Sequence, residues 1–466
     1  MAQAGAYIHC HSSLNGYLKL FQHARDYLLQ KEEVQDPDPY VLAVYATWRL
    51  SYNKLNGPAR SFLQICSMLH HEGIAEEMFE KAALSLKQLE DDELQNEVTQ
   101  LLNQLGKQDS QWRPAAFQEV AMCLGSYSLI EYDQKNDTYS VHPLVQYWSG
   151  TTMDKDKHFM HNCVLSIIGL SVSSTFKNED YKYRRTLLKH ITHAMALAKK
   201  SEISPLIASR IALVYDEHGH WNDAEALQVE AIEKRKQMLG DYHPDTLMSM
   251  GHLAVIYSKQ GRWKDAEALE VEVMEKRKQV LKDDDPYTLS SMENLAIIYS
   301  KQGRWKDAEA FEVVVMEKRK EVLGDNHPHT LMSMANLGTT YRKQGRWKDA
   351  EALEVVVMEK MKKVLGDDHP DTLSSMANLA STYKDLGCWK DAEALEVVVM
   401  EKRKEVLGDD HPNTLSSITN LANTYMNQGH WKDAEELEVV VMEKRDRKST
   451  RLNSSHPVSS RMPSSA

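Results

Sequence analysis

The chain has 466 residues and a formal net charge of −12 at pH 7, and 27% of its residues are charged. Because neutralising phosphates requires basic patches, this charge balance argues against a nucleic-acid partner. No run of about 20 apolar residues occurs, so we expect neither a transmembrane span nor a membrane partner. Five scattered cysteines without a C-x-x-C pair suit a reducing compartment, and we expect a cytoplasmic protein of about two or more domains.

The N-terminal part of the chain, up to roughly residue 200, lacks internal repetition and carries helical patterns of apolar residues. Two segments of strand character, residues 128–132 and 138–142, flank the polar segment 133–137, which predicts a β-hairpin. Helices followed by a hairpin suggest a winged-helix module. We therefore predict a winged-helix-like domain over residues 46–150 and a helical connector over residues 151–202.

Residues 2–8, residues 48–148 and the segment around His142 resemble parts of NB-ARC-type signalling ATPases. Residues 2–8 look like the segment after their Gly-Leu-Pro-Leu-Ala motif, and residues 48–148 are similar to their winged-helix part. His142 lies in a Val-His-Pro-Leu-Val segment that matches their Met-His-Asp-Leu-Val motif, with Pro143 in place of the Asp. The resemblance implies that residues 1–45 are a helical remnant of such a module and that His142 senses a nucleotide's terminal phosphate. The alternative is an ordinary histidine at the edge of a hairpin.

Motifs for catalysis are missing from the sequence. No G-x-x-x-x-G-K-[ST] loop is present to hold phosphates, so we expect this chain neither to bind ATP tightly nor to hydrolyse it. ADP or ATP would be a cofactor only if a nucleotide-binding domain precedes Met1. Because H-E-x-x-H and G-x-S-x-G are also missing, we predict no enzyme activity, no catalytic residue and no metal site.

A period of 42 residues dominates the C-terminal part. Tyrosines precede the periodic tryptophans by six residues, and glycines precede them by two. A fixed step of this kind is typical of stacked structural units, so we predict six repeats over residues 203–445 and a mainly α fold, an α-solenoid of helix pairs. The periodic tryptophans are Trp221, Trp263, Trp305, Trp347, Trp389 and Trp431.

One unit predicts two helices, from Asp371 to Leu386 and from Trp389 to Leu407. Proline before the first helix suits its first turn, and glycine after each helix suits a C-terminal cap. We expect the periodic tryptophans to be buried, so that Trp347→Ala costs about 3–5 kcal/mol; a ligand cage is the alternative. The inner stripe of the second helix is predicted to consist of Ala392, Leu395, Val399 and Val406.

The repeat resembles the long tetratricopeptide repeat of kinesin light chains, whereas the usual unit has 34 residues. The resemblance implies protein binding, with the first helices on the concave side. The N-terminal heptad coiled coil of kinesin light chains is not found here, which argues against the motor-subunit identity. The residues that carry the resemblance are Asn378-Leu379-Ala380, Tyr383, Gly387, Ala392-Glu393, Leu395 and the segment from Val406 to Pro412.

Four positions of the first helix differ between repeats, and their spacing of 3, 4 and 3 residues places them on one face. We infer that this face selects a ligand, with Arg342 and Lys384 among its members. The alternative is a solvated surface that has drifted neutrally. Next to this face lies a series of asparagines that could bond the backbone of an extended peptide: Asn294, Asn336, Asn378 and Asn420.

Residues 446–466 resemble the translation of a sequencing adapter, and their Ser and Pro content predicts disorder. Both ends of the chain are therefore expected to be truncated. We predict a protein- or peptide-binding scaffold, the sensor part of a nucleotide-switched STAND or NLR-like protein that could self-associate at full length. The alternative is a kinesin-light-chain-like cargo or scaffold adaptor without a nucleotide switch.

Overall fold

The computed structural model describes residues 39–89, 92–108, 111–151, 157–173, 180–197 and 203–453. Within these residues the chain forms twenty α-helices and two antiparallel two-stranded sheets. It divides into two compact units, residues 1–260 and residues 261–466. The predicted fold class, mainly α with tandem helix pairs, is confirmed. Most of the predicted remnant over residues 1–45 lies outside the described residues.

The first unit begins with non-repeating elements and ends with three helices of the repeat region. The non-repeating helices are α1 (Pro39–Lys54), α2 (Gly57–Met68), α3 (Glu76–Ser85), α4 (Asp92–Leu105), α5 (Pro114–Ser126), α6 (Pro143–Thr151), α7 (Lys157–Ser171) and α8 (Asp180–Leu197). The strands are β1 (Lys107–Gln108), β2 (Gln111–Trp112), β3 (Ile130–Asp133) and β4 (Thr138–Val141). The repeat helices are α9 (Pro205–Glu217), α10 (Trp221–Leu239) and α11 (Pro244–Lys259).

The predicted β-hairpin is confirmed as β3 and β4, with Ile130 opposite Val141 and Asp133 opposite Thr138. Its turn forms because the Asp133 carboxylate accepts the Lys135 backbone N–H at 3.0 Å, which is the usual way in which aspartate stabilises a turn. Ile74 forms an isolated bridge to Tyr139 on the other side of β4. Helices and hairpin occur in the predicted region, while the winged-helix assignment itself stays a prediction.

Three phenylalanines lie at the centre of the first unit. Phe62 of α2, Phe79 of α3 and Phe117 of α5 are 0% exposed, and their ring centroids are 5.1 to 5.7 Å apart. Aromatic pairs at this distance contribute about 0.5–1.5 kcal/mol beyond the area that they bury. The cluster therefore holds together the helices that precede the hairpin.

The second unit contains the remaining repeat helices, and each helix packs against the next along the chain. The series begins with a second helix, and first and second helices then alternate along the chain. They are α12 (Trp263–Val280), α13 (Pro286–Lys301), α14 (Trp305–Leu323), α15 (Pro328–Lys343), α16 (Trp347–Leu365), α17 (Pro370–Asp385), α18 (Trp389–Leu407), α19 (Pro412–Gln428) and α20 (Trp431–Asn453).

Local sequence explains where the first helices begin and end. In α17, Pro370 occupies the first turn, and the His369 ring nitrogen Nδ1 accepts the Asp371 backbone N–H at 3.2 Å. The other histidines before proline in the repeats, His243, His327 and His411, make the same cap. After α17, Gly387 has φ +78°, a left-handed conformation that costs glycine little.

The inner stripe of the second helices differs from the prediction. In α18, Ala392 and Val399 are 0% and 1% exposed as expected, but Val406 is 49% exposed, so its assignment to the stripe is wrong. Glu396 and Arg403 are buried in the stripe instead, at 3% and 8% exposure. The four buried residues follow helical spacing, and a pattern search restricted to apolar residues overlooks the two charged ones.

The tryptophans are less buried than predicted. Each lies in the first turn of a second helix, beside the loop that joins the two helices of a repeat. Trp347 is 43% exposed, so a cost of about 3–5 kcal/mol for Trp347→Ala, which applies to a core residue, is too large. For a half-exposed tryptophan, we expect Trp347→Ala to lower the free energy of unfolding by about 1–2 kcal/mol, as measured by thermal unfolding. Leu331→Ala, at a position 0% exposed, serves as the control and should cost about 2–5 kcal/mol. Equal losses for the two variants would contradict the half-exposed position of Trp347.

The last helix is longer than predicted. α20 continues through Asn453, whereas the sequence analysis expects disorder from Asp446 onward. The two differ over residues 446–453, where no glycine or proline interrupts the backbone hydrogen bonds of the helix. Residues 454–466 of the predicted tail lie outside the described residues.

Candidate functional site

The face of interest is formed by the first helices of the second unit, α13, α15, α17 and α19. The four variable positions of the sequence analysis are half-buried or exposed in each of these helices, for example Ile297 at 42%. The neighbouring positions that face the second helices, such as Leu289 and Leu331, are buried at 2% and 0% exposure. We call the accessible positions the variable face. Its members are Ser290, Glu293, Ile297, Ser300, Met332, Ala335, Thr339, Arg342, Ser374, Ala377, Ser381, Lys384, Ser416, Thr419, Asn423 and Met426.

The four asparagines beside the variable face are all half-buried but are engaged differently. The Asn336 amide nitrogen donates to Glu293 Oε1 at 2.9 Å, and that of Asn294 donates to Glu270 Oε1 at 3.4 Å. The carboxamides of Asn378 and Asn420 make no hydrogen bond within the part of the chain that the structure describes. These two side chains therefore retain both donors and their acceptor for a ligand.

The two predicted cationic residues are paired inside the chain. Lys384 Nζ lies 2.7 Å from Glu396 Oε1, and Arg342 Nη1 lies 3.3 Å from Asp385 Oδ2. Both basic side chains are 18% exposed. A ligand carboxylate would have to compete with these intramolecular partners.

A series of buried glutamates on the second helices lies behind the first helices, and the sequence analysis missed it. Thr382 donates to Glu354 Oε2 at 2.6 Å, and Thr424 donates to Glu396 Oε2 at 2.5 Å. In the first repeat Gln228 takes the equivalent place and donates to the Ser249 carbonyl oxygen at 3.0 Å. The sequence contains a signal for this series, because a polar residue recurs at this position at the 42-residue period. We call Glu270, Glu312, Glu354 and Glu396, which are 0% to 6% exposed, the glutamate series.

Burial changes the acidity of this series, because a carboxylate loses its hydration in the interior. Burial raises the pKa of Glu270 to about 7, against which the hydrogen bond from Ser291 and the charge of Arg277 act. It also raises the pKa of Glu312 to about 7 despite the hydrogen bond from Thr340. The pKa of Glu354 is likewise raised by burial. Its bond from Thr382 and the charge of Arg342 oppose that rise.

Buried arginines form a second periodic series along the same helices. Arg277, Arg319 and Arg403 each donate through Nη1 to a serine hydroxyl of the following first helix, at 2.7 to 2.9 Å. Arg319 also forms an ion pair of 2.8 Å with Glu293 of the variable face. In the next repeat Met361 occupies the arginine position and packs in an apolar cluster beside Ala335. The variable face is thus backed by charged residues in some repeats and by apolar residues in others.

His142 belongs to the first unit and lies just before α6. It is exposed, and its Nδ1 accepts the Leu144 backbone N–H at 3.2 Å. The same His-Pro cap begins several of the repeat helices, so helix capping accounts for His142 without a nucleotide. The nucleotide-sensing role stays a prediction.

Among the described residues, no group of three or more His, Cys, Asp and Glu side chains is arranged to hold a metal ion. The helices of the described part also include none that is both long and apolar enough to cross a membrane.

The tetratricopeptide-repeat family matches six consecutive segments of this chain. The segments are residues 207–245, 246–287, 288–329, 330–371, 372–413 and 414–447. Together they cover more than half of the chain. The chain belongs to the tetratricopeptide-repeat family. Members of this family are typically non-catalytic scaffolds, and the helix pairs of the second unit are the repeats themselves.

A second family, described as a domain of unknown function (DUF7779), matches residues 50–158 of this tetratricopeptide-repeat protein. The match includes the hairpin and most of the predicted winged-helix-like domain, and its description names no activity.

Solved structures similar to this tetratricopeptide-repeat protein include a Podosopora anserina protein described as a kinesin light chain with nearly identical TPR-like repeats. It shares 26% identity over 43% of this chain and 94% of that chain, with a TM-score of 0.38. BtubC (BKLC) from P. vanneervenii shares 19% identity over 53% and 97% of the two chains, with a TM-score of 0.41. A Rap protein complexed with competence and sporulation factor shares 13% identity over 80% and 99%, with a TM-score of 0.44. No curated protein matches the chain.

Proposed function

We propose that the repeats bind a protein or peptide ligand on the variable face. The observation that carries the proposal is a contrast between two exposed surfaces. The second helices of the last four repeats keep the same residue at an exposed position, since Val314, Val356, Val398 and Val440 are all 40% to 42% exposed. In α12 this residue is Glu272. Each of the four variable positions of the first helices changes at least once among α13, α15, α17 and α19. Neutral drift of solvated positions would have altered both surfaces, so the contrast favours selection for a ligand.

The asparagines give the proposed face a way to hold an extended peptide. A carboxamide offers two donors and one acceptor, which match the C=O and N–H groups of a peptide backbone. Asn378 and Asn420 lie one repeat apart and are unengaged, so they are the residues that we assign to backbone contacts. The side chains of the variable face would then read the ligand's side chains.

Within this proposal, the wider role is that of a sensor whose repeats detect a partner and whose nucleotide-binding part is not in this chain. The resemblance of residues 48–148 to NB-ARC proteins supports this role, as does His142 between the hairpin and α6. It implies a cytoplasmic protein that uses ADP or ATP and self-associates only together with that missing part. A kinesin-light-chain-like adaptor without a switch is the second candidate, favoured by the similarity of the repeats.

The role of the asparagines can be tested with a peptide selected from a displayed library on the immobilised chain. We expect the double variant Asn378→Ala and Asn420→Ala to bind this peptide about 5- to 150-fold more weakly, since two hydrogen bonds contribute about 1–3 kcal/mol. Isothermal titration calorimetry measures the change in Kd, and circular dichroism checks helicity. Asn427→Ala, at an exposed position of α19 outside the series, is the matched control. Unchanged affinity of the double variant, or an equal loss in the control, would exclude the backbone contacts.

A further inference from the structure

A second surface lies at the edge where the second helices begin. In two repeats an arginine just before the helix is held there by two carboxylates and a tyrosine ring. Its Nη1 also donates to a glutamine amide oxygen, Gln302 Oε1 at 3.2 Å or Gln344 Oε1 at 3.4 Å. Arg304 Nη1 donates to Glu267 Oε1 at 2.8 Å, and its Nε donates to Asp307 Oδ2 at 2.7 Å. Its guanidinium carbon lies 4.1 Å from the centre of the Tyr299 ring. Two carboxylates and one aromatic face therefore form the main part of a guanidinium site.

The next repeat reproduces this arrangement with the same residue types. Arg346 donates to Glu309 and to Asp349, both at 2.8 Å. Its guanidinium carbon lies 4.0 Å from the centre of the Tyr341 ring. The recurrence shows that the backbone of the repeat places these three groups around one guanidinium.

The following repeat keeps the three receiving groups but lacks the arginine. Glu351, Tyr383 and Asp391 occupy the equivalent positions, while Cys388 stands in place of Arg346. We call these three residues the vacant slot. Within the described residues the carboxylates of Glu351 and Asp391 have no hydrogen bond or ion pair. Burial raises the pKa of the Tyr383 hydroxyl, and the charges of Glu351 and Asp391 act in the same direction.

A further partner of the slot has also been lost. In the two preceding repeats a glutamine donates to the first carboxylate, Gln302 to Glu267 at 2.7 Å and Gln344 to Glu309 at 2.8 Å. Leu386 takes this place next to Glu351. Glu351 thus lacks both donors that its equivalents have.

There is open space beside the slot. An open cavity of about 500 Å³ adjoins Asp391 of the slot, and its lining includes Cys388, Glu393, His430 and the cationic Lys390. His430 stands at the next arginine position, so two successive arginines are replaced by smaller side chains here. The cavity offers room for the rest of a ligand whose cationic group occupies the slot.

We propose that the vacant slot binds an arginine side chain of a protein or peptide partner. Arginine fits better than lysine for two reasons. Its Nη and Nε groups bond two separate carboxylates at fixed geometry, and its planar guanidinium stacks on the tyrosine ring, as Arg304 and Arg346 do within the chain. The net charge of −12 also attracts a basic partner. This site lies outside the variable face and does not depend on the peptide binding proposed there.

The test uses N-acetyl-arginine amide as the probe, titrated into the isotope-labelled full chain and followed by NMR, which detects weak binding. We expect the signals of Glu351, Tyr383 and Asp391 to shift, and the corresponding lysine amide to bind several-fold more weakly. Cys388→Arg fills the slot from within and should lower the affinity for the probe by at least about tenfold. It should also raise Tm by about 2 °C. Cys388→Ser removes the thiol and leaves the slot open, so it should bind the probe like the unchanged protein.

Three results would overturn the proposal: no shift of the slot signals, equal binding of the lysine probe, or equal binding of the arginine probe to Cys388→Arg. If Cys388→Arg were not folded by circular dichroism, Glu351→Gln would provide the same test, because it removes one of the two receiving charges. Asn378→Ala and Asn420→Ala should leave binding of the arginine probe unchanged, which separates this site from the variable face.

Discussion

Glu312→Gln is expected to stabilise the second unit by up to about 3 kcal/mol at pH 8 and to leave its stability nearly unchanged at pH 4. Glu312 is 6% exposed, and burial raises the pKa of its carboxyl to about 7. Folding at alkaline pH therefore requires an ionised carboxylate to lose its hydration. A glutamine of the same shape carries no charge and avoids this cost.

The direction with pH follows from proton uptake. Between an ordinary glutamate pKa of about 4.3 and a folded-state pKa of about 7, the folded chain binds more protons than the unfolded chain. The free energy of unfolding therefore falls as pH rises through this window, and the penalty is fully present above pH 7. Glu270, whose pKa is also raised to about 7 by burial, adds a second contribution of the same sign.

The first repeat shows that glutamine is tolerated at this position. Gln228 occupies it and donates to the Ser249 carbonyl, and the equivalent acceptor for residue 312 is the carbonyl of Ser333. Thermal unfolding between pH 4 and pH 8 measures the effect. Glu317→Gln, at an exposed position of the same helix, is the control and should show little change. A stability profile for Glu312→Gln that runs parallel to that of the unchanged protein would contradict a pKa near 7.

Arg319→Ala is expected to destabilise the second unit by about 3–5 kcal/mol at pH 7, because it leaves a charge without its partner in a poorly hydrated place. Arg319 is 7% exposed at its side chain, and its partner Glu293 is 17% exposed. Its Nη1 also donates to the Ser333 hydroxyl at 2.7 Å and to the His329 carbonyl at 3.3 Å. All of these bonds are lost at once.

The neighbouring repeat supplies the compensating change. Met361 stands at the position of Arg319, and Ala335 stands at that of Glu293. Met361 belongs to an apolar cluster, and Ala335 packs against this cluster. The double variant Glu293→Ala and Arg319→Met should therefore recover most of the lost stability, since a well-packed apolar pair can replace a buried ion pair. Thermal and urea unfolding measure both variants. Arg304→Ala, at a residue 43% exposed, is the control and should cost at most about 1 kcal/mol. A double variant as unstable as Arg319→Ala would show that the ion pair is not the source of the loss.

The helix boundaries were largely predictable because local residues determine them. The second helix predicted from Trp389 to Leu407 is found at those residues, and the first helix differs from its prediction by one residue at each end. Proline, glycine and the capping histidine act on the backbone within a few residues, so their effect is visible in the sequence. The resemblance to the tetratricopeptide repeat was also visible in the sequence, because the same periodic residues carry it.

The candidate face was predictable in position but not in chemistry. Helical spacing places the variable positions on one face, and the structure leaves them accessible. That Lys384 pairs with Glu396, or that Arg342 pairs with Asp385, depends on distances between helices. The sequence alone shows all four charged residues but not which of them meet.

The sequence by itself determined the repeat, its two helices and the ends of these helices. It also determined which residues vary between repeats. All of these depend on spacing and on local backbone preferences. Only the tertiary structure decided that the periodic tryptophans are half-exposed and that Glu396 and Arg403 are buried. Within the described residues, it also showed that the carboxylates of Glu351 and Asp391 lack the arginine partner that Glu267 and Glu309 have. Burial and charge pairing depend on which helix covers which face, and a pattern along one chain does not contain those distances.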